Sequence, residues 1–282
     1  MSVAIITDSA AALPPGLAAR HGITVVPMWL TVRGEPELEG ERSLEELVTE
    51  DRVTTSAPTP GEFEASIKDT LLGHDAAVVL TIASSMSATY ASAAIAAQAV
   101  GGDVRVIDTA TAGGAEALVV LAAAQAANEG VTLDQVEERA RVVIERVRLV
   151  ATLSSLDHLV RSGRVPGIAG WAGRRLGINP LFEFRDGDVH RLRPALSQEA
   201  ALDRILSLVR RARPDGPARL HIAALHALAV DVAQDLLERI GELDPATAFV
   251  GEFGPVMVVH TGPGLAGLAW WWESPALDRA SS

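Results

Sequence analysis

Cysteine is absent from this 282-residue sequence, which excludes disulfides, thiolate nucleophiles and thiolate metal sites. Lysine is almost absent: Lys68 is the single one, and every other fixed cation is arginine. Positive charge is scarce overall, 24 Lys plus Arg against 36 Asp plus Glu, for a formal net charge of -12. A nucleic-acid binder needs a basic footprint, so nucleic acid is not an expected partner. Lasting adsorption to an anionic membrane is disfavoured too, which leaves room only for transient membrane contact. No apolar run reaches the roughly 18 residues of a membrane span. The opening M-S-V-A-I-I-T-D lacks the cationic start and long apolar stretch of a signal peptide. The expectation is a soluble, cytoplasmic protein. The seven histidines are scattered, none in an H-E-x-x-H pattern or beside clustered acids, so no metal is expected.

What is present is apolar residue, 48% of the chain, enough for one large or two medium domains. Val3 to Thr7 is a continuous run of parallel-strand type ending in Asp8-Ser9, where turn chemistry and a ligand-side role are both open. A short helix to His21 leads into a second run, Ile23 to Val32. Glu35 to Asp51 is acidic, with a short helix from Ser43, and reads as a solvated face. Pro58 and Pro60 keep Thr54 to Pro60 from being helix or central strand, so a stiff loop presenting Thr54, Thr55, Ser56 and Thr59 is expected. Helices over Glu62 to Leu72, Ala115 to Ala127 and Leu133 to Arg148 alternate with strands near Ala76 to Ile82 and Val104 to Ile107. That alternation implies a parallel sheet flanked by helices.

The rhythm changes near Leu149. A strand over Val150 to Ser154 and a helix over Ser155 to Arg161 are followed by a Gly- and Arg-rich stretch, Ser162 to Gly177, with Trp171. Leu181 to Arg185 and Val189 to Arg193 flank Asp186-Gly187-Asp188, a hairpin signal. Helices over Ser197 to Arg213 and Ala227 to Ile240, with strands at Leu220 to Ala224, Ala248 to Val250 and Val256 to Thr261, complete an α+β half. The expected fold is α/β with two domains, 1–149 with a helix-flanked parallel sheet and 150–282 of α+β type, a ligand held between or within them.

The stretch Thr81 to Ala93 carries the most chemistry. An apolar strand ends in Ser84, Ser85 and Ser87, and an Ala-rich helix begins at Thr89. A helix N-terminus with hydroxyls beside it suits an anion. The plainer reading is that Ser85 or Ser87 only caps the helix. His260 follows Val256-Met257-Val258-Val259 and should sit at a strand's end beside a Gly-Pro-Gly turn, as a ligand contact or as a residue shaping that turn. Gly262-Pro-Gly264-Leu-Ala-Gly267 has the letters of a dinucleotide fingerprint, yet it lies too near the end of the sequence for the βαβ unit that motif requires. A structural turn is expected there.

In order along nearly the whole chain stand Thr7-Asp8-Ser9, Thr54-Thr55-Ser56-Ala57-Pro58, Ser84-Ser85-Met86-Ser87-Ala88-Thr89-Tyr90, Val106-Ile107-Asp108-Thr109, Leu156 to Arg164, Asn179-Pro180-Leu181 and His260-Thr261-Gly262-Pro263-Gly264. These segments resemble the DegV family of bacterial fatty-acid-binding proteins. Ser87-Ala88-Thr89-Tyr90 stands where the family has Ser-Gly-Thr-Tyr, Ser162-Gly163-Arg164 where it has Gly-Gly-Arg, and Asn179-Pro180-Leu181-Phe182 where it has Lys-Pro-Ile-Leu. The resemblance implies a protein without catalytic residues or cofactor of its own. It would hold a long-chain fatty acid (C14–C18) and present the carboxylate to a separate ATP-dependent kinase that makes acyl phosphate for lipid synthesis. Thr55 and Ser87 would bond the carboxylate, with His260 bonding it or ordering the site. Ser56 and Ser85 are further candidate donors, and Arg164 would face the head group or the partner. Arg164 as a plain surface charge beside a Gly turn stays open.

Such a site is physically sensible. A carboxylate offers two acceptor oxygens to neutral hydroxyl and imidazole donors. Tail burial supplies about 0.8 kcal/mol per CH₂, so the hydrogen bonds need only orient the head. Two rivals remain at this stage. One is a hydrolase or acyltransferase built from Ser84, Ser85 or Ser87 with His260 and Asp8 or Asp108, although no G-x-S-x-G elbow is present. The other is a carrier of a different apolar acid.

Overall fold

The computed structural model describes residues 1–48, 50, 52–153, 155–165 and 179–274. In chain order the elements are β1 (Val3–Asp8), α1 (Pro15–His21), β2 (Ile23–Val26), β3 (Trp29–Val32), β4 (Glu35–Leu38), α2 (Leu44–Leu47), β5 (Val53–Ser56), α3 (Pro60–Leu71), β6 (Ala76–Thr81), α4 (Thr89–Val100), β7 (Val104–Asp108), α5 (Gly113–Asn128) and α6 (Leu133–Ile144). There follow β8 (Arg148–Thr152), α7 (Asp157–Ser162), β9 (Asn179–Arg185), β10 (Asp188–Ala195), α8 (Gln198–Arg211), β11 (Arg219–His226), α9 (Val230–Ile240), β12 (Thr247–Glu252), α10 (Pro255–Thr261) and β13 (Ala266–Glu273). Short 3₁₀ turns follow β1 and α9.

Three sheets result. The first, in order β2-β1-β6-β7, is wholly parallel. Its central strands β1 and β6 are buried at every position, as continuous apolar runs covered on both faces must be. The second runs β10-β9-β8-β13-β11-β12 and is antiparallel except for the β11–β12 pair. The third is a small antiparallel sheet, β4-β3-β5. A mixed α/β fold with a helix-flanked parallel sheet is therefore what the chain adopts.

Helix α5 joins the two large sheets. Its sequence, G-G-A-E-A-L-V-V-L-A-A-A-Q-A-A-N, is apolar nearly all round, and a helix of that kind has no face for water. It packs on β1 and β6 of the first sheet and on β8, β11 and β13 of the second. Small residues let it approach closely. A Cβ on Gly114 would lie 2.7 Å from Ala223 Cβ and 2.8 Å from a Leu225 methyl. The largest apolar cluster accordingly runs from Val3 and Ile5 through α5 to Leu225 and Trp271.

Several sequence-based expectations need correction. The run Ile23 to Val32 is two strands in different sheets, because Pro27 cannot continue a ladder. Val53–Ser56 is a strand and not a loop. It lies on the edge of the small sheet, where prolines just downstream disturb no inner ladder, and it pairs Leu30 with Thr55. Glu35 to Asp51 is not simply a solvated face, since β4 lies in it and Glu39 is drawn inward. The helix expected to reach Arg148 stops at Ile144, and Arg148 already belongs to β8.

The largest correction is at residues 255–261, expected as a strand and found as helix α10. Pro255 sits in its first turn, where a missing N–H costs nothing, and Glu39 Oε1 accepts from Val256 N at 3.0 Å. A carboxylate at the positive end of the helix stabilises it. Strand β13, central in the second sheet, was not anticipated. The segment 262–264 does form the turn, and Gly267 lies inside β13, where a Cβ would meet Val150 O at 2.4 Å. Most of the Gly- and Arg-rich stretch, residues 166–177 with Trp171, lies outside the described residues.

Candidate functional site

The C-terminal ends of β1, β6 and β7 face the same side of the parallel sheet, and polar residues collect there. Asp8 does not face a ligand. Its carboxylate accepts from Ala10 N and Ile82 N, both at 2.9 Å, and so fixes the first residue of the loop after β6. Burial is the main cause that lifts Asp8 from 3.8 to about 7. Ser9 is equally committed, accepting from Met28 N at 3.0 Å and donating to Glu39. Asp108 holds the same loop from β7, accepting from Ser84 N at 3.2 Å. Glu116 on α5 is fully buried, accepts from Thr7 Oγ1 at 3.3 Å, and is pushed well above the ordinary carboxylate range, first by burial and then by Asp8. This ground layer positions the serine loop.

Above it lies a cavity of about 550 Å³. Its apolar wall includes Met28, Leu149, Phe182, Phe184, Phe253 and Leu265, drawn from the small sheet's entry, the second sheet and the turn before β13. Phe182 and Phe184 are two apart on β9 and so share a face. Its polar lining includes Thr55, Ser56, Ser84, Ser85, Ser87, Arg164, His260 and Thr261. All six residues singled out from the sequence therefore border one cavity. Helix α10 divides its faces between two cavities, with His260 on the border of both. Val256, Met257, His260 and Thr261 line this cavity, while Pro255, Val258 and Val259 line a second cleft, as 3.6-residue spacing requires.

Thr55 and His260 are directly bonded, Oγ1 to Nε2 at 2.7 Å. Burial first, and the Arg164 guanidinium second, push the imidazole from 6.5 down to about 4, so at neutral pH the ring carries one proton. The pair then holds two labile protons, one on Thr55 and one on the ring. Only one is used between them: with Nε2 protonated the Thr55 hydroxyl keeps its own proton for a ligand, and with Nδ1 protonated the remaining proton lies on the other ring nitrogen.

The serines differ in their engagements. Ser85 Oγ donates to Gly187 O at 2.5 Å, in the turn of the β9–β10 hairpin, so its proton ties the loop to the second sheet. Ser87 Oγ accepts from Thr89 N at 3.3 Å and shares a 2.8 Å bond with Thr89 Oγ1. It does not cap the helix, whose N-cap is Ala88, but closes a local turn before it and has a place on the cavity wall. Ser56 is exposed on the edge strand. Arg164 is exposed just after α7, its Nη1 donating to Ser162 O at 2.9 Å.

A serine hydrolase finds little here. His260 meets a threonine, and Asp8 is occupied by backbone amides. Among the described residues no group of three or more His, Asp or Glu is placed to hold a metal ion. No helix among them is long and apolar enough to cross a membrane. The wall residues Met28, Leu149, Phe253 and Leu265 were missed because each looks like ordinary core in sequence. The Phe182–Phe184 alternation was the one local signal available.

Comparison with known proteins agrees with this geometry. The family model described as "Uncharacterised protein, DegV family" matches residues 2–273. A DegV domain-containing protein of Mycobacterium bovis is 34% identical over 276 residues, covering 95% of this chain and 96% of that one. A fatty acid-binding protein of Thermotoga maritima is 27% identical over 285 residues, covering 95% and 96%. The structure of a DegV family protein from Thermus thermophilus, described for its fatty acid binding, superposes with a TM-score of 0.89 at 28% identity. That match covers 96% of this chain and 99% of the other. The chain belongs to the DegV family.

Proposed function

We propose that this protein binds a long-chain fatty acid in the 550 Å³ cavity and presents its carboxylate to a separate kinase for acyl-phosphate formation. The observation that carries the binding reading is an apolar cavity whose polar lining is almost wholly neutral. Hydroxyls, one neutral imidazole and a single guanidinium can orient a carboxylate without neutralising it. The fatty acid binding described for the Thermus and Thermotoga relatives supports the same cargo. Thr55, Ser87 and His260 are the proposed carboxylate contacts, with Ser56 beside them. Ser85 acts by tethering the loop. The segment 1–149 supplies most of the polar loops, and 150–282 supplies much of the wall that covers the tail.

Energetically the tail dominates. Burying a C16 chain contributes on the order of 10 kcal/mol before association costs. Presentation to a kinase rests on Arg164, an exposed cation bordering both the cavity and the second cleft. The test of cargo is direct. Protein purified from a bacterial host and extracted under denaturing conditions should release a C14–C18 acid by mass spectrometry, and added palmitate should raise thermal stability. At a hundredfold excess over Kd the gain is about 2.7 kcal/mol. No acyl acid and no shift with palmitate would refute the reading.

A further inference from the structure

We infer that the second cleft is a binding site for a phosphate dianion, free or as the end of a phosphate ester. The cleft has a volume of about 510 Å³ and adjoins the lipid cavity, sharing Thr55, Arg164 and His260 with it. Arg52, Arg161 and Arg164 line it, together with His158.

The charge distribution is what makes this cleft unusual. The chain is acidic, at -12, and Arg33, Arg42, Arg105, Arg141 and Arg239 each reach a carboxylate, while Arg20, Arg191, Arg193 and Arg211, exposed and without one among the described residues, line neither this cleft nor the lipid cavity. In the cleft, Arg52 and Arg161 are exposed and, among the described residues, have no carboxylate or hydrogen-bond partner. Arg164 reaches only a carbonyl of its own turn. The one acid on the cleft wall, Glu50, is already held by both nitrogens of the Arg33 fork, each at 2.9 Å. Complementing the end of α7 would account for Arg161 alone, since Arg52 precedes β5 and Arg164 lies past the helix. Three cations that line one concavity, none with a carboxylate partner among the described residues, therefore call for an anion. Each guanidinium offers a planar fork to two oxygens, and three forks match the oxygens and double charge of phosphate better than a single carboxylate.

The site stands apart from the fatty-acid reading, but its coupling to the carboxylate rests on it. Thr55 and His260 form the shared wall, so phosphate and carboxylate would sit on opposite sides of one hydrogen-bonded pair. Like charges there weaken one another, and the effect is reciprocal.

The test is titration calorimetry on the full chain with inorganic phosphate and, separately, phenyl phosphate, in chloride buffer of matched ionic strength. The parent should bind, and Arg52→Gln and Arg161→Gln should each bind about tenfold or more weakly, as expected for loss of a charge-assisted pair. Arg161→Lys, which keeps charge without the fork, should fall between. Preference for phenyl phosphate assigns an ester, and equal or weaker binding of it assigns the free ion. Palmitate affinity should be unchanged in both Gln variants without phosphate, and phosphate should weaken palmitate in the parent only. No binding of either probe, or equal binding by parent and variants, overturns the site. Loss of palmitate by the Gln variants without phosphate also overturns it, because the arginines would then belong to the lipid cavity. A parent that binds phosphate through these arginines but never palmitate would keep the site and remove the proposed cargo.

Discussion

Replacing His260 with glutamine tests the electrostatics of the cavity without reference to any ligand. In the fold the imidazole sits at about 4, against an ordinary 6.5. Above 6.5 both folded and unfolded chains carry a neutral ring, and the group has no effect on stability. As pH falls below that value the unfolded chain takes up a proton that the folded chain refuses, so stability is lost. The loss levels off below about 4, where both states are protonated, at about 3 kcal/mol in total. Between about pH 7.5 and about pH 5 the parent should lose about 2 kcal/mol through this residue, and His260→Gln should lose none of it. The comparison must be parent against variant at each pH. Asp8, lifted from 3.8 to about 7, and Glu116, also raised, act in the opposite sense and gain stability as pH falls. Their gain offsets the His260 loss and can leave the parent's own profile nearly flat. Guanidinium denaturation of both proteins at the two pH values measures the difference. A gap that does not change with pH would show that His260 is not buried as a neutral ring, and the argument for a neutral donor set would fall with it.

Other outcomes follow from the same geometry. Thr55→Ala and Ser87→Ala should weaken palmitate by about 0.5–1.5 kcal/mol each, and up to about 3 kcal/mol if the bond is to the carboxylate ion, read by calorimetry; parent-like affinity in both would misplace the head group. Arg164→Ala should retain its lipid yet lose most kinase- and ATP-dependent acyl-phosphate formation, measured as bound lipid against ATP consumed; loss of the lipid would place Arg164 in the pocket instead. Gly114→Ala should destabilise the protein by about 1–3 kcal/mol in denaturant melts, because its Cβ would press on Ala223 and Leu225 where α5 meets the second sheet; a neutral result would mean that the helix can shift.

The parallel sheet was legible because Val3 to Thr7 and Ala76 to Ile82 are unbroken apolar runs, and such runs have few other uses in a chain of this kind. The hairpin was legible from Asp186-Gly187-Asp188, and the paired residues Arg185 and Asp188 close it as expected. What escaped was decided at a distance. Residues 256–259 form too short a run for a 2.0 period to be told from a 3.6 period. Glu39, 217 residues away, accepts from the first turn of the helix, a contact that the local sequence does not show. Val53–Ser56 is a strand only because Trp29–Val32 lies beside it. Strand β13 follows a glycine-rich turn, and its Trp-rich end gives no alternation because both of its faces are covered. The residues Thr55, Ser56, Ser85, Ser87, Arg164 and His260 that border the cavity could be named from motif order. Their bonding could not: that Ser85 is tied to Gly187, and that Thr55 meets His260, are facts of tertiary contact between residues 102 and 205 positions apart.

Those two contacts divide the work of the site between affinity and presentation. On the proposed reading an acyl tail in the apolar part of the cavity would supply nearly all the binding energy, which would leave the polar lining free to serve another end. A lining rich in cations would hold a carboxylate more tightly, but it would also draw charge from oxygens that, on the same reading, attack a phosphoryl group. The Thr55–His260 pair avoids this. Burial and Arg164 keep the ring neutral, and the pair still has one proton to donate, so a bound carboxylate is oriented while remaining an anion. Arg164 is the exception, and it is exposed and shared with the cationic cleft, where an incoming phosphate needs charge compensation. On the proposed reading, neutral donors on one side of the pair and guanidinium groups on the other are two halves of one arrangement. The lipid side holds the nucleophile in a reactive form, and the cleft side is built to receive the phosphate.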